Sequence, residues 1–182
     1  MRLRLRLLWL ILTFAWRRRL RVLDEFVLPC TVLPNDIDVS KMTDDRYLAI
    51  ADLGRLDMVL RLGLARSLLK RGWAPLATVA AIRFRHPLKA FQRYQLRTRV
   101  VYWDDTTFYL QQVFERHGRT QATAYVCATF LARRAAVRPT EVLAEIGQPV
   151  VRPCKPDVVS DLQALAVAIH MEQKEGACVQ VT

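Results

Sequence analysis

Neither a CxxC pair nor a Cys/His cluster with zinc spacing occurs, although the chain has cysteines at Cys30, Cys127, Cys154 and Cys178 and histidines at His86, His117 and His170. That excludes the common zinc modules and a thioredoxin-type redox motif, and leaves reduced thiols of a reducing compartment. Cys30 and Cys127 sit in apolar, strand-like surroundings and are expected to pack as small hydrophobes. The sequence also lacks a Gly-rich phosphate loop and a GxSxG elbow, which removes P-loop chemistry and the α/β-hydrolase nucleophile. No apolar run reaches the ~20 residues that a membrane-spanning helix needs. The net charge of +11 comes with no helix-turn-helix, zinc or RNA-platform pattern, so nucleic acid is not an expected partner. There is no internal repeat and no low-complexity tract.

What is present is a chain of 182 residues, 52% hydrophobic and 25% charged, enough for one domain with a real core and too apolar for wholesale disorder. Much of the positive charge is gathered at the front. Arg2, Arg4, Arg6, Arg17, Arg18, Arg19 and Arg21 flank the apolar run Leu7–Trp16, which carries Trp9 and Trp16 near its edges. No small-residue cleavage site follows the run, and three arginines directly after it oppose export. Residues 1–21 therefore read as a segment lying in the interface of an anionic membrane, the alternative being a helix docked on the protein's own surface. The expected location is cytoplasmic and peripheral to a membrane.

From Asp44 the chain reads as one long helix closing at Lys70-Arg71-Gly72, with two acids at its N-terminus and a glycine after two bases at its end. Leu48, Ile50, Leu53, Met58 and Leu62 fall on nearly every side of it, with Asp52, Arg55, Asp57, Arg61 and Arg66 interspersed. A helix of that kind is usually wrapped by other structure. Before it, Val22–Leu33 reads as a strand that Pro29 confines to an edge. After it, Trp73-Ala74-Pro75 reads as a connector. Strands follow over Leu76–Arg85, Arg93–Trp103, Thr107–His117 and Gln121–Ala132, punctuated by Asp104-Asp105 and Gly118. Pro139–Gly147 is a short helix with proline at its start and glycine at its end. Val150–Pro156 is a linker, and Asp157–Glu175 a last helical pattern before a frayed end. The organisation expected is 1–21, a domain over 22–148, and a linker with helical extension over 149–182.

One strand, an all-round apolar helix and a long antiparallel meander form the element order of the hotdog fold, an α+β fold with the helix wrapped by the sheet. Pro34-Asn35-Asp36-Ile37-Asp38 followed by Arg46-Tyr47-Leu48 resembles the Asp-x-Asp…Asn-x-Arg-Tyr signature of the 4-hydroxybenzoyl-CoA-thioesterase-like hotdog superfamily. Asp52-Leu53-Gly54-Arg55-Leu56-Asp57, Ile82-Arg83-Phe84-Arg85-His86-Pro87-Leu88 and Leu96–Asp105 are similar to its membrane-associated branch. The resemblance covers about Phe26 to Gly147.

The resemblance implies an acyl-CoA thioesterase-like hydrolase that cleaves an acyl thioester to free acid and thiol without metal or cofactor. Thioester hydrolysis needs a carboxylate to activate water or attack, and donors for the developing oxyanion. By the family pattern the carboxylate is Asp38, and the donors are backbone N–H groups near Asp44 and Asp45. Asn-Asp-x-Asp is also a turn-making pattern that bonds its own backbone. Arg46 and Tyr47 complete the signature. With Arg83, Arg85 and Lys89 they are the candidate contacts to an acyl-CoA or acyl-carrier substrate, solvated strand arginines being the plain alternative. Relatives often read His-Met-Asn-Asn-Gly-Arg-Tyr where this chain has Lys41-Met42-Thr43-Asp44-Asp45-Arg46-Tyr47 and is one residue shorter after Asp38. An acid capping the helix would occupy donors meant for the carbonyl. The second reading is therefore a catalytically degenerate hotdog protein that binds acyl ligands or a partner at the membrane surface. The family's sites form between protomers, so a homodimer or larger assembly is expected.

Overall fold

The computed structural model describes residues 2–13, 18–38, 40–133 and 135–179, with side chains from Arg6 to Glu172 within those ranges. Trp16 and Arg17 of the N-terminal segment, and the end beyond 179, lie outside the described residues. In chain order the elements are α1 (Arg2–Thr13), β1 (Phe26–Thr31), the two-residue strands β2 (Ile37–Asp38) and β3 (Lys41–Met42), α2 (Asp44–Arg61) and α3 (Ala65–Arg71). Then come β4 (Trp73–Phe84), β5 (Arg93–Trp103), β6 (Phe108–Arg116), β7 (Arg119–Ala132), β8 (Ala135–Val137), α4 (Pro139–Ile146) and α5 (Asp157–Val179).

The main sheet has the order β1-β5-β6-β7-β4, with β8 added against β7 and all pairings antiparallel. β5 shows why it forms: Tyr94, Leu96, Thr98 and Val100 alternate inward, while Arg93, Gln95 and Arg99 face water. Register shifts at Ala77/Val79, Val100/Tyr102 and Phe114/Glu115 bend the strands and help the sheet curl around α2. Pro29 does sit on an edge strand. Pro75 is tolerated for the same reason on the opposite edge, where β4 begins at Trp73 rather than after a connector.

The long helix is broken once. α2 ends at Arg61, and Gly63 takes φ +87°, a left-handed turn that glycine adopts without a Cβ clash. Leu62 and Leu64 on either side of the turn are both buried in the core. The expected glycine stop is at Gly72, φ +63°, but it ends α3. The short β8 and the continuation of α5 to Val179 were not expected either.

Against the inner face of the sheet, α2 splits the core in two. One half gathers Met42, Tyr47, Ile50, Leu96 and Phe114, and the other Met58, Trp73, Trp103, Phe108 and Phe130. Between them lie Gln112 and Thr98, both buried. Gln112 Nε2 donates to the Ala51 carbonyl at 2.9 Å and to Thr98 Oγ1 at 3.1 Å, and its Oε1 accepts from Arg55 Nη1 at 2.6 Å. The outer face is covered by α5, whose Val159 and Leu162 are buried against Tyr109 and Cys127. Each such side chain contributes about 1.5–3 kcal/mol of burial. Burial pushes the Cys127 thiol up to about 11, as suits a packed cysteine.

Candidate functional site

Local chemistry shapes the approach to α2. Residues Pro34–Asp36 form one 3-10 turn, with the Asp36 carboxylate accepting from the Leu33 N–H at 2.9 Å. The turn-making reading of the Asn-Asp-x-Asp pattern thus holds for Asp36, which is buried. Asp38 is different: it is exposed, and stands opposite Lys41 in the β2/β3 ladder. The ladder is fixed from outside. Met42 N–H donates to the Leu88 carbonyl at 2.8 Å, and Thr43 N–H donates to the Asp36 carbonyl at 3.2 Å. The chain then enters α2 through Thr43 as N-cap, whose side chain makes no cap bond.

Asp44 and Asp45 are the first two helical residues, both exposed, rather than the cap. The Thr43 hydroxyl holds the Asp45 carboxyl below its ordinary range. Burial works slightly against this, while Arg46 and the N–H groups of Arg46 and Asp45 add to it. Arg46 Nε lies 3.5 Å from Asp45 Oδ2.

Tyr47 faces the core. Its ring meets Phe84 and Phe114 edge-on at 5.1 and 5.0 Å, and its hydroxyl accepts the Leu88 N–H at 3.2 Å. Burial raises its phenol above the ordinary value. This tyrosine ties the end of β4 and the loop after it to the start of α2. Arg83, Arg85 and Lys89, all exposed, are therefore carried at the same end of the molecule as Asp38, Asp44 and Asp45. Among the described residues no cluster of three or more His, Cys, Asp or Glu could hold a metal.

Sequence reasoning missed three features. One is a small apolar pocket of about 40 Å³ between the C-terminal half of α2 and the sheet, with Met58, Pro75, Leu110, Phe130 and Val142 in its wall. Arg55 lines it as well, and burial lowers its guanidinium to about 10, still charged at neutral pH. The pocket lies roughly 20 Å along the helix axis from Asp44, at 1.5 Å per residue over the interval to Met58. A second is the Gln112–Arg55 network. The third is Arg6, whose Nη2 reaches the Asp36 Oδ2 at 2.6 Å and the Thr31 carbonyl at 2.9 Å. No local pattern marks any of them, since each depends on long-range pairing.

Comparison with known proteins gives these features a setting. Residues 32–148 match the thioesterase-like superfamily. The chain is 32% identical over 163 residues to the protein THEM6 of Danio rerio, covering 87% of this chain and 78% of that one. Among solved structures it resembles a gentisyl-coenzyme A thioesterase, TM-score 0.59 at 20% identity, over 67% of this chain and 99% of the other. It also resembles a Staphylococcus aureus protein solved in complex with CoA, TM-score 0.62 at 15% identity, over 76% and 93% of the two chains. At these identities the structural likeness speaks for the hotdog fold.

Proposed function

The chain belongs to the thioesterase-like superfamily, and from that premise we propose that it hydrolyses acyl-CoA thioesters with Asp38 as general base or nucleophile. The observation that carries the proposal is the contrast between the two acids of the loop. Asp36 is buried and bonded into the turn, whereas Asp38 is exposed just before the N-terminus of α2. A water activated by Asp38 would add to the thioester carbon. The oxyanion would draw on the first N–H groups of α2, and the C–S bond would break to release acid and thiol. Arg83, Arg85 and Lys89 supply positive charge at this end for the phosphates of CoA.

Dimerisation through β4 completes the reading. β4 is a twelve-residue edge strand, mostly exposed on both faces. Pairing two copies antiparallel about its midpoint sets Pro75 of one opposite Ile82 of the other. The apolar pocket of one protomer then adjoins the Asp38 loop of its partner, as an acyl chain and its thioester require. The exposed residues Leu8, Trp9, Ile11 and Leu12 of α1, with the arginines around them, favour an anionic membrane surface as a further contact. No helix among the described residues is long and apolar enough to cross a membrane.

A second reading, an acyl-ligand binder without turnover, draws on Asp44 and Asp45, exposed acids in the first turn of α2 that add negative charge where an oxyanion must form. Thiol release from a panel of fatty and aromatic acyl-CoAs, measured on the purified full chain, separates the two. Asp44→Asn with Asp45→Gly should raise turnover about tenfold by removing negative charge beside the oxyanion position. If neither wild type nor this variant releases thiol while acyl-CoA still binds, the binder reading stands instead.

A further inference from the structure

The N-terminal helix is not simply an appendage. Leu10 is buried and Leu7 packs beside it in the core half that holds Met42, Tyr47 and Leu96. Just before them in the sequence, Arg6 turns inward. Its guanidinium donates to the Thr31 carbonyl at the end of β1 and to Asp36, whose side chain is only 3% exposed. Asp36 in turn accepts the Leu33 N–H through its carboxylate and the Thr43 N–H through its carbonyl. The same ion pair therefore touches the end of β1, the turn before Asp38 and the cap of α2. Tyr94, with a buried hydroxyl, lies near enough to feel Arg6, Asp36 and Cys30. A carboxylate buried to this degree is costly without a partner, so the turn depends on the cation supplied by α1. The opposite face of α1 carries Leu8, Ile11 and Leu12, the last 63% exposed, so a bilayer can take that face while Arg6 stays seated.

We propose that Arg6 is a positioning residue through which the membrane-facing helix holds the loop that carries Asp38. The proposal rests on the thioesterase reading only for what Asp38 does there; the mechanical link stands on the ion pair itself. Amide exchange across residues 31–38, measured on the full chain beside kcat and KM for acyl-CoA, tests both separately. Arg6→Gln should speed exchange over 31–38 about tenfold while β5–β7 keep their protection. It should also lower kcat about tenfold with KM little changed. Arg6→Lys, which keeps the charge, should restore most of the protection. Arg6→Gln with Asp36→Asn, which removes the buried charge, should be less perturbed than Arg6→Gln alone. Wild-type exchange over 31–38 in Arg6→Gln would overturn the proposal, as would a double variant perturbed by the simple sum of the two singles. A wild type that releases no thiol, with exchange still responding as expected, would remove the thioesterase reading and leave the link. Vesicles rich in phosphatidylserine should preserve or increase protection over 31–38, and Leu8→Ser with Leu12→Ser should weaken vesicle binding without changing that exchange. Loss of protection on adding vesicles would show that α1 leaves its seat, and would overturn the proposal.

Discussion

Gly54 sets how closely α2 can lie on the sheet. A Cβ there would stand 2.5 Å from Leu96 Cδ2, 3.0 Å from Thr98 Oγ1 and 3.2 Å from Gln112 Nε2. Alanine in place of glycine normally gains about 1 kcal/mol within a helix. Here overpacking should outweigh it, so Gly54→Ala should lose about 1–3 kcal/mol, read as a lower Tm. An unchanged or higher Tm would mean that the helix has room to move. At this scale the sequence was partly legible. The Asp-x-Asp signature drew attention to the loop before α2, but nothing in it showed that Asp36 would be buried and Asp38 exposed. Buried Asp36 is paired with Arg6, which reads like every other arginine of the terminal segment until the fold brings it against the turn.

The elements were largely legible because their patterns are strong. β5 alternates cleanly, and α4 carries its proline and glycine at the two ends. The break at Leu62–Leu64 was not legible, because an apolar run gives no sign that two neighbouring leucines will enter the core through a left-handed glycine. Nor was the seat of α5, which is held by polar contacts outside its own apolar pattern. Gln163 Nε2 donates to the Tyr109 hydroxyl at 2.9 Å and to Asp104 Oδ2 at 3.1 Å, and the Tyr109 hydroxyl donates to Asp104 at 2.7 Å. Asp104 also accepts the N–H groups of Thr106 and Thr107 at 2.9 and 2.8 Å. Burial by itself would raise this carboxyl, but those donors outweigh it and hold it below the ordinary range. A depressed folded pKa gives stability that is complete above the unfolded value near 3.9 and is lost as pH falls through the folded one. Asp104→Asn should therefore destabilise by about 1–2 kcal/mol at pH 7. Chemical denaturation at several pH values should show that difference shrinking below pH ~4. A difference that does not depend on pH would assign the effect to lost geometry rather than charge.

At the scale of the whole molecule the conspicuous feature is β4, an unpaired edge that most folds would shorten, charge or cover. Its central residues Ala77 and Ala80 are small and exposed, which suits close approach by a second copy. Ala77→Glu with Ala80→Glu should place like charges across the proposed two-fold and give a folded monomer by sedimentation, where wild type should sediment as a dimer at micromolar concentration. A wild-type chain that is monomeric there would remove the shared site. The fold as a whole was readable from the order of its elements. The proposed relation between pocket and carboxylate was not, because in that proposal it depends on how two copies meet.

The most direct measurement compares turnover and binding of one acyl-CoA by wild type and Asp38→Asn. The amide is nearly isosteric but can neither accept a proton nor attack effectively. Turnover should therefore fall on the order of a hundredfold or more while the dissociation constant for acyl-CoA stays within about twofold. Equal rates of thiol release by the two proteins would contradict the assignment of Asp38, and would leave that carboxylate as a residue of the β2/β3 turn.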